Sequence, residues 1–285
     1  MSRRQRPAVT GRVSFLSDYG LEDEFVGVVH AVIDRTAPGT RVVDVTHGVP
    51  RHDVNAGAMT LWRAVPWLVP GVVLAVVDPG VGTPRRAVAL SVRSAGAFLV
   101  GPDNGLLLPG ALRLGAITAA VVLPPADPAP AGATVAGRDL FAPVAARLAA
   151  GIPLSDLGEP IDPAALVGRP FEGAICESTV PPLLVCRVTW VDRFGNAQLN
   201  AAAEDLTCLG TARAVTLRLT SAPIPSAPAP PVPARVVSAY GELSTGELGV
   251  VVDSYGMLSL CAREASAAER FGLRAGDPVR VGPPG

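Results

Sequence analysis

From Arg12 to Ala150, short apolar runs of strand length alternate with segments whose apolar residues recur every three or four positions. No other feature constrains the chain as much. Strands separated by helices must join through crossovers, and crossovers build parallel sheets covered by helices. Arg12–Leu16 is the first strand, followed by the turn Ser17–Gly20. Phe25, Val29 and Ile33 fall four apart, which predicts a helix over Asp23–Thr36 that Pro38-Gly39 ends. Val42–Val45 reads as a buried strand, and a second helix starts near Asp53, its N-cap, with Val54, Ala58, Leu61 and Val65 on one face. Val72–Val77 is a third apolar strand with Asp78 at its C-terminal end. Ala87–Val92, Phe98–Val100 and Ile117–Leu123 fit further strands, and Asp139–Ala150 a helix that takes Pro143 in its first turns.

Beyond Pro181 the helical spacing stops. Short β-type runs follow at Leu183–Val191, Ala214–Leu219, Val236–Ala239, Gly249–Val252 and Leu258–Cys261. The Pro-rich stretch Ala222–Pro233 reads as a surface loop without regular structure. The expected organisation is an α/β domain with a mostly parallel sheet over 1–172, and a smaller all-β barrel-like or sandwich domain over 180–285.

Composition narrows the chemistry. The chain carries 24 Lys+Arg, all of them arginine, so no P-loop, Schiff-base or kinase lysine exists. A formal net charge of −1 sets up no field for nucleic acid or an anionic membrane. Only 17% of residues are charged against about 25% in an ordinary soluble domain; a chain of this size can bury a large core, and the apolar excess is consistent with large buried subunit contacts. Cys176, Cys186, Cys208 and Cys261 form no C-x-x-C pair and read as buried thiols. His30, His47 and His52 are too few and too scattered for a metal site. The apolar run Val13–Leu16 is too short for a signal peptide, and Pro66 and Pro70 interrupt the apolar stretch Val65–Val77, so a cytoplasmic protein is expected.

Ligands of open α/β sheets bind beyond the carboxyl ends of the strands. Asp18 and Asp78 stand at two such ends, where a carboxylate can grip a ribose diol; Asp is also a common cap or turn former. Asp78-Pro79-Gly80-Val81-Gly82-Thr83-Pro84-Arg85 is a tight loop that can turn its carboxylate and guanidinium towards each other, a pair able to orient a water. As a bare pattern it is equally a surface turn. Asp192-Arg193-Phe194-Gly195-Asn196 offers donors, acceptors and a stacking face, in what spacing alone makes a hairpin turn. Ser254-Tyr255-Gly256 is a second such turn, and Gly101–Gly105 a structural one.

Seven segments in order, FLSDYG (Phe15–Gly20), VDVTHGVPRHDV (Val43–Val54), VVDPGVGTPRR (Val76–Arg86), VGPDNGLL (Val100–Leu107), GRDLFAPVA (Gly137–Ala145), VDRFGN (Val191–Asn196) and DSYGML (Asp253–Leu258), resemble the S-adenosyl-L-methionine (SAM) hydrolases, or SAM hydroxide adenosyltransferases. Fluorinases and chlorinases are their relatives. The resemblance implies adenosine and L-methionine as products, no metal or other cofactor, and a homotrimer with SAM at subunit interfaces. It implies that Asp18 binds the ribose hydroxyls, and that Asp192 and Asn196 meet the methionine amino group and the base region, beside the stacking face of Phe194. Ser254 and Tyr255 would meet the carboxylate, Arg263 would lie near adenine, and His52 would be a pocket wall. Asp78 and Arg85 match two members of the Asp–Arg–His set that orients the water in the hydrolases. The family's T-F-H-G-R-D reads Thr134–Asp139 here, with Ala136 in the histidine's place. Loss of that histidine makes a SAM-binding protein with little turnover the alternative. A halogenase is disfavoured, because the halogenases place Tyr where Asp78 stands, and a carboxylate repels halide.

Overall fold

The computed structural model describes residues 11–93, 96–125, 135–168, 171–210, 213–219 and 230–284. They fall into two units, Met1–Pro170 and Phe171–Gly285. The N-terminal unit runs β1 (Arg12–Ser17), α1 (Phe25–Thr36), β2 (Arg41–Thr46), α2 (Val54–Ala64), β3 (Val72–Val76), β4 (Ala87–Val92), β5 (Ala97–Pro102), α3 (Leu108–Leu114), β6 (Ile117–Val122), α4 (Ala142–Ala149) and β7 (Glu159–Ile161). Its seven strands lie in the order β2-β1-β3-β5-β4-β6-β7. The pairings β2–β1, β1–β3 and β3–β5 are parallel, and β4 enters antiparallel between β5 and β6.

Every residue of β3 is buried, because the strand serves two cores. Leu74 and Val76 pack with Val29 and Ile33 of α1 and Leu148 of α4. Val73 and Ala75 point the other way, to Leu61 of α2 and Ala111 of α3. A strand buried on both faces reads as one unbroken apolar run. β2 differs from expectation: it is the edge strand, and Arg41, Val43 and Asp44 are exposed. Asp53 caps α2 by accepting from the Ala56 N–H at 2.8 Å. The segment before α4 is a π-helical turn, Gly137–Phe141, which closes with the Ala142 N–H on the Gly137 carbonyl. Pro143 stands, as expected, in the first turn of α4, where its missing N–H is tolerated.

The order of the strands places the site. β1 leads through α1 to β2 on one side, while β3 lies on the other side, and α1 and α2 cover opposite faces. This is a topological switch point, with a crevice beyond the strand ends. Ser17 of β1 is level with Val76 of β3, so Asp18 and Asp78 leave the sheet side by side.

The C-terminal unit contains β8 (Ile175–Glu177), β9 (Leu183–Val191), β10 (Ala197–Ala202), β11 (Ala214–Leu219), β12 (Val232–Val237), β13 (Leu248–Val252), β14 (Met257–Ala262), α5 (Ala267–Phe271) and β15 (Pro278–Gly282). Seven strands close into a barrel in the order β10-β14-β13-β12-β11-β15-β9, with β9 returning to β10. β8 pairs with the first residues of β9. Alternate residues of β11 fill the barrel: Val215, Leu217 and Leu219 are buried. Of the Pro-rich stretch, residues 222–229 lie outside the described residues. Val232 and Pro233 are not loop: they open β12, with Pro233 opposite Thr216. No helix among the described residues is long and apolar enough to cross a membrane.

Leu74 is 0% exposed at the centre of the parallel half. Leu74→Ala should cost about 2–5 kcal/mol of unfolding free energy, read by urea denaturation of the purified protein.

Candidate active site

β3 delivers Asp78 into a loop that Thr83 folds back on itself, its hydroxyl donating to the Gly80 carbonyl at 2.7 Å. Asp78 Oδ1 accepts from the Gly80 N–H at 3.2 Å and from Arg85 Nε at 3.0 Å, and Arg85 Nη2 closes on Oδ2. The remaining Arg85 nitrogen, Nη1, donates to the Arg86 carbonyl at 2.9 Å. All three nitrogens of the fork are thus committed, and Arg85 orients the carboxylate instead of reaching outward. The Asp78 side chain is only 3% exposed. Burial pushes its carboxyl above the usual range, and the Arg85 guanidinium and the Gly80 N–H oppose that rise only in part.

The Gly101–Gly105 turn braces this loop from behind. Asp103 Oδ2 accepts from Arg86 Nε at 2.8 Å, and Asn104 Nδ2 donates to the Val77 carbonyl at 2.9 Å.

The end of β1 is held differently. Ser17 Oγ lies 2.7 Å from His47 Nδ1. His47 Nε2 lies 3.1 Å from Asp44 Oδ1, and His30 Nε2 2.8 Å from the same oxygen. Burial alone would raise the Asp44 carboxyl, but the hydrogen bonds to His30 and His47 outweigh it and set it below the usual range. The Gly20 N–H donates to the His47 carbonyl at 2.8 Å, so ring and backbone of one histidine fix both ends of the Ser17–Gly20 turn. Asp18 Oδ2 accepts the His52 N–H at 2.9 Å, and His52 sits at φ +64°, where non-glycine residues are uncommon. One Asp18 oxygen is taken by this bond.

These elements enclose a cavity of about 340 Å³ whose walls include Asp18, Tyr19, His52, Asp78, Ala136 and Gly137. Asp18, His52 and Asp78, three of the expected site residues, therefore meet in one place, with Arg85 behind Asp78. Tyr19 was not among the expected site residues: it stands inside FLSDYG, but only tertiary contacts bring its hydroxyl to Gly137.

The C-terminal unit has its own cavity, about 680 Å³, lined by Asp192, Phe194, Asn196, Tyr240 and Arg263 among others. Asp192 folds the β9–β10 turn around itself: it accepts from the Phe194 N–H at 2.8 Å, the Asn196 N–H at 2.9 Å and Asn196 Nδ2 at 2.8 Å. Gly195 takes φ +82° in this turn. Phe194 is 72% exposed, its ring free to stack on a planar group. Arg263 Nη1 donates to the Gly241 and Leu243 carbonyls at 3.2 and 2.8 Å and so pins the turn that carries Tyr240. Tyr240 escaped the sequence because no local pattern marks a residue placed by so distant an arginine. Ser254 and Tyr255 are not in this wall; they sit on the β13–β14 turn, where Asp253 Oδ1 accepts the Tyr255 N–H at 2.8 Å. Among the described residues, no group of three or more His, Cys, Asp or Glu is placed to hold a metal ion.

Two family models match: the SAM hydroxide adenosyltransferase N-terminal domain over residues 13–158 and its C-terminal domain over 186–280. The chain is 45% identical over 276 residues to the (R)-S-adenosyl-L-methionine hydrolase of Salinispora tropica, covering 96% of this chain and 98% of that one. It is 40% identical over 282 residues to the protein of the same name from Thermus thermophilus, covering 94% and 98%. Fluorinases are more distant, at 30% identity and below. A crystal structure of an uncharacterised conserved protein from Thermotoga maritima superposes with a TM-score of 0.83 at 29% identity, covering 95% of this chain and 99% of that one.

The Asp78–Arg85 pair has a measurable signature. Replacing Arg85 by Gln removes the cation that opposes burial, so the Asp78 carboxyl rises further. A carboxyl raised in the fold keeps a proton that the unfolded chain releases, and stability falls as pH climbs through the folded value. The stability lost in Arg85→Gln should therefore grow from acid to neutral pH, as urea unfolding across a pH series will measure.

Proposed function

We propose that the chain, which belongs to the SAM hydroxide adenosyltransferase family, hydrolyses SAM to adenosine and L-methionine. The observation that carries this is the buried Asp78, clamped by Arg85, in one cavity with the strand-end carboxylate Asp18. The sulfonium needs no acid to leave. What the reaction needs is a ribose held still, bulk water kept out, and one water aimed behind the 5′ carbon.

Asp18 holds the ribose diol with the oxygen that His52 leaves free, and His52 forms the adjoining wall. Asp78 accepts a proton of the water in a hydrogen bond, and Arg85 fixes the direction from which it does so. The water oxygen bonds to the 5′ carbon as the carbon–sulfur bond breaks, and its electron pair goes to sulfur, giving the neutral thioether of methionine. The surplus proton of the new hydroxyl passes to the Asp78 carboxylate and on to solvent; burial makes that carboxylate more basic than an exposed one. A halide is a poor fit beside a carboxylate with which it shares a sign.

In the C-terminal unit, Phe194 stacks on the base, with Asp192 and Asn196 turned to the base and the methionine amino group, and Arg263 on the adenine side. Ser254 and the Tyr255 backbone take the carboxylate of methionine. No metal or further cofactor is part of this reading. The protein is proposed to act as a cytoplasmic homotrimer, for which light scattering should return about three times 29.1 kDa.

Chromatography of SAM incubated with purified protein, with and without chloride, tests the reaction. Adenosine and methionine are expected in both cases, with no 5′-chloro product. Asp78→Asn should lower kcat by about 10²–10⁴-fold. The acid limb of the wild-type rate should lie above the ordinary carboxylate range, because Asp78 works ionised and its carboxyl is raised. No adenosine above the blank would overturn hydrolysis, and adenosine only after Ala136→His would point to a SAM-binding protein.

A further inference from the structure

We infer that the Tyr19 hydroxyl holds the attacking water, donating a hydrogen bond to it from where the phenol rests on Gly137. The inference deepens the hydrolase reading and rests on it. Tyr19 follows the ribose-side Asp18 directly and shares the cavity with Asp78. Its N–H donates to Ser17 Oγ at 3.3 Å. Its ring meets Phe15 edge-on at 6.2 Å and Phe25 at 5.7 Å, so the direction of the hydroxyl is set by packing.

The hydroxyl rests on Gly137. A β-carbon built there would come within 2.0 Å of the phenol oxygen. Gly137 lies in helical backbone that any residue can adopt, so its missing side chain answers to the phenol and not to the main chain. The Gly137 backbone, packed against the phenol oxygen, acts on it as a donor, and a phenol that accepts there keeps its own O–H to donate. Burial, with the charges of Asp18 and Asp78 nearby, pushes the phenol well above the usual tyrosine range, so it stays a donor throughout the working pH range.

A donor is the complement that Asp78 lacks. A water has two protons and two lone pairs. The Asp78 carboxylate can take a proton, but a carboxylate alone leaves the water free to swivel about that bond. When the Tyr19 hydroxyl occupies one lone pair, the other is the only one left to aim at the 5′ carbon. Ala136 contributes a methyl to this corner and can neither donate nor accept.

The test is Tyr19→Phe, which keeps the ring and both aromatic contacts and removes one oxygen. The expected result is a kcat lower by about 10²-fold, the scale of one lost donor at a reacting centre, with KM for SAM within about twofold and an unchanged melting temperature. A kcat equal to wild type would overturn the role of Tyr19 while leaving hydrolysis intact. So would a raised KM at wild-type kcat, which would assign the hydroxyl to substrate binding. A wild type that releases no adenosine would overturn the hydrolase reading first, and the water-holding role with it.

Discussion

A carboxylate taken out of water is stable as an anion only when a cation and donors accompany it. Asp78 meets that condition through a pair of bonds from one guanidinium, and much of the N-terminal unit is arranged to keep the pair in place. The Asp78–Arg86 loop folds tightly because the guanidinium must return to the residue where the loop began. The Gly101–Gly105 turn is tied to both ends of that loop, through Val77 and Arg86. Phe141 lies beneath the guanidinium, 5.5 Å from ring centre to cation. Arginine suits the task where lysine would not, because its planar fork meets both carboxylate oxygens at once and keeps its charge in a buried place.

The sheet supplies the second carboxylate by topology. Adjacent parallel strands end level with each other, so whatever follows β1 and β3 is brought together without a dedicated contact. The chain His30–Asp44–His47–Ser17 then stiffens the β1 side from α1 and the edge strand β2. Histidines that look scattered along the sequence are joined because α1 and β2 flank the same end of β1.

The division between what sequence reveals and what it hides follows the range of the interactions. β3 was legible because burial on both faces removes polar residues from it altogether. Asp18 and Asp78 were legible because strand ends are local features, and Arg85 because its partner lies in the same short loop. β2 was misread as buried because its valines carry no mark of an edge position; Arg41 and Asp44 give it away only once its single neighbour is known. α3, β7, β8, β10, α5 and β15 went unrecognised, being short and dependent on sheet, barrel or helix neighbours for their order. Pro233 suggested loop because proline lacks a donor, yet β12 accommodates it at its second position. Tyr19 and Tyr240 were invisible as site residues for one reason: each is placed by a partner far along the chain, Gly137 for one and Arg263 for the other.

The two sheets also dispose of their edges. In the barrel, β9 returns to β10, and among the described residues the only strand left with a free side is β8, three residues long. The open sheet ends in β7, three residues that include Pro160, and in β2, which faces outward with Arg41 and Asp44. A chain that is 49% hydrophobic could template cross-chain strand pairing wherever a long apolar edge stood open. Short, charged or proline-bearing edges deny it that template, so the sheets of separate molecules are kept from pairing strand to strand.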